Sequence, residues 1–262
     1  MTQGSHILQA QDVVFEYRPG APVLRGVSLQ AAPGRLTCIL GRNGSGKTTL
    51  LRCLLGRLAP KSGTILLDGL DLRRYSSGGL ARVLAYVPQI PASAFAFTVR
   101  EIVLMGRFAH GGPLGLAGAK DLTVANLAMQ MTETLAFADR TLEELSGGEA
   151  QCVMIARALA QQPAVMLLDE PTSHLDIKNQ LMIYRMMQRL AHDWGMAVVC
   201  VSHDVNMAAR FADELVLMRE GQVLAGGTPD QVIRQDILCQ AYDVQIDLVR
   251  AGDDPIPLIR AR

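Results

Sequence analysis

The chain has 262 residues, of which 49% are hydrophobic, so it is long enough to bury a large core within one α/β domain. Its 25 basic and 25 acidic residues balance, and this zero net charge gives no reason to expect nucleic acid as a partner. The longest apolar runs, such as residues 196–201, are far too short to span a bilayer, and the polar first residues lack a signal-peptide core.

The order of apolar segments predicts the alternation of strands and helices that is typical of an α/β domain. Residues 6–30 alternate apolar and polar side chains around a Pro19-Gly20 turn, which predicts two antiparallel strands. Short apolar runs predict further strands at 36–40, 64–69, 83–87, 165–168 and 197–201, and a hairpin at 215–225. Helical spacing predicts helices at 49–55, 98–161 (broken by a glycine-rich loop at 110–118), 177–193, 205–211 and 229–242.

The strand at 36–40 leads into a complete phosphate-binding loop, G-R-N-G-S-G-K-T. Its glycines let backbone N–H groups face inward around phosphates, and the helix that follows adds the positive end of its dipole. In such a loop Lys47 reaches the β and γ phosphates, and the Thr48 hydroxyl ligates Mg²⁺. We therefore expect the chain to bind ATP or another nucleoside triphosphate with Mg²⁺. The residues predicted to contact the nucleotide here are Gly41, Arg42, Asn43, Gly44, Ser45, Gly46, Lys47, Thr48 and Thr49.

A second motif, L-S-G-G-E-A-Q at residues 145–151, resembles the signature of the ATP-binding-cassette (ABC) ATPases. The resemblance covers essentially the whole chain, because every motif of that family occurs in the family's order. In the family, the signature loop of one subunit caps the ATP held by the other subunit. The resemblance thus implies a homodimer in which Ser146, Gly147 and Gly148 complete the partner's site. Family members usually carry Arg where this chain has Ala150, which leaves the rate of hydrolysis open.

Two adjacent acids, Asp169 and Glu170, end the apolar run at 165–168. Carboxylates at the end of a buried strand are costly unless a charged group lies beside them, and Mg-ATP is such a group. The resemblance assigns Asp169 to Mg²⁺ and Glu170 to the attacking water as general base.

Three more positions take their roles from the resemblance. Tyr17 is similar to the aromatic residue that stacks on adenine, Gln89 to the residue that contacts Mg²⁺ and the water, and His203 to the histidine that contacts the γ-phosphate. Residues 173–176 resemble the loop that links the two ATP sites, where His174 is an interface residue rather than a catalyst. The implied catalytic residues are Gln89, Glu170 and His203, and the implied metal-binding residues are Thr48, Gln89 and Asp169.

The resemblance also implies the architecture. We expect one α/β domain, residues 1–262, with a mostly parallel core sheet, an antiparallel β layer and an inserted helical subdomain. The insertion is expected at about 92–162, and a C-terminal extension at about 228–262.

Several runs look like the ATPase subunits of binding-protein-dependent importers for ferric siderophores, haem and cobalamin. These runs are 97–107 with His110, 169–176 and 202–210. Some molybdate and tungstate importers belong to the same branch, and residues 104–107 look much like theirs. Such a subunit works with two membrane permease subunits and a substrate-binding protein, at the cytoplasmic face of the inner membrane. A soluble ABC-type ATPase of iron–sulfur cluster assembly shares the nucleotide motifs and is the alternative.

Overall fold

The computed structural model describes residues 6–89, 97–110, 118–249 and 256–262. The strands, in chain order, are β1 (Leu8–Arg18), β2 (Ala21–Ala31), β3 (Arg35–Gly41), β4 (Ser62–Leu67), β5 (Leu70–Asp71), β6 (Leu84–Val87), β7 (Val165–Asp169), β8 (Ala197–Val201), β9 (Glu214–Arg219), β10 (Gln222–Gly227), β11 (Ile246–Val249) and β12 (Leu258–Ala261). The helices are α1 (Lys47–Leu54), α2 (Ser77–Val83), α3 (Val99–Met105), α4 (Ala119–Met131), α5 (Gly147–Ala160), α6 (Ile177–His192), α7 (Val205–Phe211), α8 (Pro229–Val232) and α9 (Gln235–Tyr242).

A six-stranded sheet in the order β10-β9-β3-β8-β7-β6 forms the centre of the molecule. From β9 to β6 the neighbouring strands are parallel, and only the pairing of β10 with β9 is antiparallel. Every residue of β7 and β8 is buried, as in parallel sheets that carry helices on both faces. The predicted α/β class with a mostly parallel core sheet is confirmed.

The N-terminal half of the chain adds an antiparallel sheet in the order β2-β1-β4-β5. The predicted turn at Pro19-Gly20 joins β1 to β2, and Gly20 has a φ of 82°, which an L side chain rarely adopts. Helix α1 lies between this layer and the core sheet, because its leucines share one buried cluster with Leu24 of β2 and Ile39 of β3. The short elements β5 and α2 were not predicted, and the predicted strand at 83–87 begins one residue later.

Helices α3, α4 and α5 pack against one another and form the helical part of the predicted insertion. Between α3 and α4, the buried Arg107 side chain joins three segments. Its guanidinium donates to Asp121 Oδ1 (2.9 Å), to the carbonyl of Ala160 at the end of α5 (2.7 Å) and to Gln162 Oε1 (2.9 Å). The boundaries at about 92–162 stay a prediction, since residues 90–96 and 111–117 lie outside the described ranges.

Beyond α8 and α9, the predicted apolar tail contains the antiparallel pair β11–β12. The Asn206 side chain of α7 forms two hydrogen bonds with the Ile259 backbone of β12, at 2.8 and 3.1 Å. This pair of strands is thus fastened to the helix that follows β8. In the part of the chain that the structure describes, no helix has both the length and the apolar character needed to cross a membrane.

Candidate functional site

The loop between β3 and α1 has a backbone that only glycine adopts without strain. Gly41 and Gly46 have φ values of 144° and 102°. A Cβ on Gly41 would lie 2.3 Å from the Met218 carbonyl oxygen, and one on Gly46 would lie 2.9 Å from the Leu24 side chain. Gly46 precedes α1 without a side-chain cap, so the first N–H groups of the helix are open to a ligand. The loop therefore has the form of an anion cradle.

Lys47 is the cation of this cradle. Its side chain is only 5% exposed, and its ammonium donates to the carbonyls of Gly41 (2.7 Å) and Arg42 (3.0 Å). Burial lowers the pKa of Lys47, while the nearby carboxylates of Glu170 and Asp169 oppose that shift. The ammonium is thus held inside the loop, where phosphate oxygens can replace the two carbonyls as acceptors.

Most of the predicted loop residues line one open cavity of about 260 Å³. Asn43 is an exposed member of this lining, whereas Gly41, the exposed Arg42 and the buried Ser45 are not part of it. The residues that line this cavity are Val23, Asn43, Gly44, Gly46, Lys47, Thr48, Thr49 and Glu170. The structure therefore brings Glu170, more than 120 positions away in the sequence, to the phosphate loop.

At the end of β7, the Asp169 carboxylate meets the phosphate loop. Thr48 Oγ1 donates to Asp169 Oδ1 at 3.3 Å, and the Tyr86 hydroxyl of β6 donates to Oδ2 at 3.4 Å. Burial, followed by the charge of Glu170, raises the pKa of Asp169. A hydroxyl beside a buried carboxylate is a set of hard oxygen donors that fits Mg²⁺.

Glu170 and His203 are joined across the ends of β7 and β8. His203 Nε2 and Glu170 Oε1 form a short hydrogen bond, and the Glu170 backbone N–H donates to the Val201 carbonyl at 3.1 Å. Glu170 has a φ of 50°, a left-handed conformation that costs energy in a residue other than glycine. Glu170 follows the last residue of β7, and it lines the phosphate-loop cavity.

Gln89 is linked to Glu170 through Ser173. Its amide donates to Ser173 Oγ at 3.0 Å, and Ser173 Oγ donates to the Glu170 carbonyl at 3.0 Å. Gln89 and His174 line a second cavity of about 370 Å³, which is shared with Gly147 of α5. The predicted catalytic residues thus form one connected group between the two cavities.

Tyr17 stands at the outer side of the phosphate loop. Its side chain is 55% exposed, and its hydroxyl lies 3.3 Å from Thr49 Oγ1. The ring packs edge-on against Phe15, with the centroids 4.9 Å apart. An exposed aromatic ring held in this way provides a surface on which a base can stack.

The signature residues begin α5 and lie apart from the phosphate loop of the same chain. Ser146 caps α5 through a reciprocal capping box with Glu149, whose carboxylate accepts from Ser146 N (2.8 Å) and Oγ (2.7 Å). Gly148 packs against α6, where a Cβ would lie 2.4 Å from the side chain of Asn179. None of the described residues that line the phosphate-loop cavity belongs to the signature.

Tyr86 is a site residue that the sequence analysis missed. Besides its contact with Asp169, its ring lies 4.7 Å beneath the guanidinium of Arg57. A signal for it exists in the sequence, since Tyr86 lies on the strand that ends just before Gln89. An alternating strand pattern does not show which hydroxyl will face the end of a neighbouring strand.

Comparison with known proteins agrees with this geometry. The sequence model described as ABC transporter matches residues 24–173, more than half of the chain. The chain belongs to the ABC transporter family. It is an ATP-binding ATPase subunit of the kind that drives transport.

Curated relatives of this ABC ATPase match it almost end to end. The hemin import ATP-binding protein of Burkholderia thailandensis is 39% identical, over 92% of this chain and 95% of that protein. The protein of the same name from Rhizobium meliloti is 38% identical over 97% of both chains. The cobalamin import ATP-binding protein of Halobacterium salinarum is 41% identical over 90% of this chain and 58% of its own length.

Solved structures show the same fold as the ABC ATPase. A metal-chelate type ABC transporter in an inward-facing conformation superposes with a TM-score of 0.86 at 28% identity, over 98% of this chain and 97% of the other. CbiO1 of Clostridium perfringens, part of the transporter complex CbiONQ, gives a TM-score of 0.78 at 28% identity, over 90% and 94%.

Proposed function

We propose that this ABC ATPase powers the import of a metal chelate: a ferric siderophore, haem or cobalamin. The observation that carries the proposal is the near end-to-end similarity to hemin import ATP-binding proteins. The similarity to a metal-chelate type transporter over 98% of the chain supports it independently. A different polypeptide recognises the cargo, so the proposal names a class of cargo and not one chelate.

The proposed assembly has two copies of this chain, two membrane permease subunits and a substrate-binding protein that acts through the permease. The ATPase would lie peripherally at the cytoplasmic face of the inner membrane. Two copies close head-to-tail around two ATP molecules, with Ser146, Gly147 and Gly148 of one copy capping the nucleotide of the other. The separation of these residues from their own phosphate loop supports this arrangement.

The chemistry then follows from positioning and electrostatics. Tyr17 stacks on the base, and residues 41–49 with Lys47 hold the phosphates. Thr48, Asp169 and Gln89 would hold Mg²⁺, and the ion would neutralise phosphate charge.

Glu170 orients the attacking water and takes its proton, because its carboxylate projects toward the phosphate-loop cavity. His203 fixes the Glu170 side chain through their hydrogen bond, and in this proposal it also steadies the γ-phosphate. ATP binds the closed dimer better than the open one. This difference in affinity is the free energy that moves the permease.

The general-base assignment is tested with Glu170→Gln. We expect turnover to fall at least about a hundredfold, which is a typical contribution of a general base, while ATP still binds and holds a dimer visible by size-exclusion chromatography. Glu133→Gln is a matched control, since Glu133 is exposed in the helical region and has a similar φ of 58°. Turnover of Glu170→Gln at the wild-type rate would show that another group activates the water.

The cargo class is tested by measuring ATPase activity of the chain reconstituted with its permease and binding protein. Ferric siderophore, haem, cobalamin and molybdate are supplied in turn. Stimulation by one of the chelates supports the proposal. Stimulation by molybdate alone assigns the chain to oxyanion import, and co-purification with a soluble scaffold instead of a permease points to iron–sulfur cluster assembly.

A further inference from the structure

The end of helix α9 lies against the first residues of the phosphate loop. Asp243, which follows α9, pairs with Arg42 at 3.5 Å. On the other side of the helix end, Arg219 of β9 donates to the Gln240 carbonyl. These contacts place Tyr242, the last residue of α9, at the base of the loop.

The Tyr242 hydroxyl is buried and has no hydrogen-bond partner among the described residues. The Gly41 backbone N–H approaches the hydroxyl closely enough to oppose the rise of its pKa, although the two groups do not reach hydrogen-bond geometry. The Asp204 carboxylate lies within electrostatic reach. Burial raises the pKa of Tyr242 to about 12, so the hydroxyl keeps its proton at neutral pH. An unpaired hydroxyl in such a place is costly, and native structures contain few of them.

A second hydroxyl at the same place has the same property. Ser45 Oγ is buried and lacks a hydrogen-bond partner within the described ranges. A Cβ on Gly41 would lie only 2.8 Å from it, so the unpaired Ser45 and Tyr242 hydroxyls both adjoin Gly41. Two buried hydroxyls at the base of the phosphate loop therefore lack hydrogen-bond partners among the described residues in this backbone conformation.

Tyr242 also adjoins the turn that carries His203. Asp204 caps helix α7 by accepting from the Met207 N–H at 2.9 Å, and α7 is fastened to β12 through Asn206. The C-terminal segment thus holds the phosphate loop on one side and α7 on the other.

We propose that Tyr242 is a positioning residue of the nucleotide site, whose hydroxyl gains a hydrogen bond with the Gly41 N–H when the phosphate loop closes on nucleotide. Tyr242 touches no nucleotide and acts through Gly41. Because the new hydrogen bond forms only in the loaded loop, its free energy adds to nucleotide affinity. The C-terminal extension is then part of the binding site in a functional sense.

The test compares Tyr242→Phe with Tyr75→Phe in the full chain. Tyr75 is a matched control in the antiparallel layer, where its hydroxyl already donates to the Leu67 carbonyl at 3.0 Å. Two quantities are measured for each variant: Tm without nucleotide, and Kd for a non-hydrolysable ATP analogue by calorimetry.

For Tyr242→Phe we expect an unchanged or raised Tm and a Kd weaker by about threefold to tenfold, the effect of one net hydrogen bond. For Tyr75→Phe we expect the reverse, a lowered Tm with an unchanged Kd. An unchanged Kd in Tyr242→Phe overturns the proposal. A weaker Kd accompanied by a fall in Tm like that of Tyr75→Phe also overturns it, since the hydroxyl would then be paired in both states. If the wild-type chain itself fails to bind the analogue, the nucleotide site is at fault rather than Tyr242.

Discussion

In the proposed ATPase two helix N-termini face nucleotide, and they are built in opposite ways. Helix α1 follows Gly46, which is left-handed and offers no side-chain cap. Helix α5 follows Ser146, whose capping box with Glu149 already satisfies N–H groups at its start. Both ends carry the positive pole of a helix dipole, but only the first is left open.

In the proposed dimer, this difference divides the binding of phosphate between the two copies of the chain. The open end of α1, with Lys47 inside the loop, can bind phosphates without help from another subunit. The capped end of α5 already contains a carboxylate, so an incoming phosphate finds fewer free donors there. It contributes chiefly when a closed dimer brings the phosphate of the partner's ATP against Ser146.

The largest effect is expected from a substitution at the open N-terminus of α1. Lys47→Ala removes charge-assisted hydrogen bonds to phosphate, so ATP affinity should fall about a hundredfold or more, as measured by calorimetry. Lys61→Ala is the control, because Lys61 is an exposed turn residue paired with Glu16. If Lys47→Ala binds ATP within about threefold of wild type, backbone N–H groups alone carry phosphate binding.

A smaller effect is expected at the capped end, and it is of a different kind. Ser146→Ala should leave the ATP affinity of a single chain unchanged but lower turnover about tenfold, since Ser146 acts only in the closed pair. Loss of the cap should also cost about 1 kcal/mol of unfolding free energy.

Ser76→Ala separates these two consequences of losing Ser146. Ser76 caps α2 by accepting from the Gly79 N–H at 3.1 Å, away from either cavity of the site. Its removal should lower stability similarly and leave turnover intact. Equal losses of turnover in both variants would mean that Ser146 is only a cap.

The smallest effect concerns pH. Hydrogen bonds from the Ser146 side chain and backbone lower the pKa of Glu149 below its ordinary value of 4.5. A carboxyl with a lowered pKa in the folded state stabilises the fold above its ordinary pKa, and this contribution is lost as pH falls through the lowered pKa. Glu149→Gln keeps the capping acceptor but cannot titrate. As the pH is lowered from about 5 to about 3, the unfolding free energy of this variant should therefore decrease less than that of wild type.

Glu101→Gln is the companion variant in this pH experiment. Glu101 forms the same kind of capping box with Thr98, and those hydrogen bonds likewise lower its pKa. In urea unfolding, the unfolding free energy of both variants should decrease less than that of wild type as the pH falls. If the unfolding free energy of Glu149→Gln depends on pH as that of wild type does, the Glu149 carboxylate does not form its capping hydrogen bonds in solution.

Much of the site could be predicted from sequence because its motifs are local. The phosphate loop and the strand before it follow from one continuous stretch, as does the apolar run ending at Asp169. The contact of Tyr86 with Asp169 could not be predicted, since it depends on β6 lying beside β7, 83 positions along the chain. The roles of the individual site residues stay predictions until the variants above are measured.

The C-terminal region was less predictable for a different physical reason. Strands β11 and β12 are short, and Ile246 is their only fully buried residue, so they depend largely on Asn206 and on each other. Their hydrophobic pattern is consequently weak. Tyr242 looks like an ordinary apolar helix residue in the sequence, and only the packing of α9 places it below Gly41.

The position of β3 in the sheet has a consequence for the order of folding. This strand comes early in the chain, yet its two neighbours, β8 and β9, are made about 160 and about 180 residues later. The Arg107 contacts, by comparison, stay within 55 residues, so the helical region can assemble from sequence-local pieces. During synthesis the phosphate loop therefore emerges early and becomes rigid late, because the strand that holds it waits for the C-terminal half of the sheet.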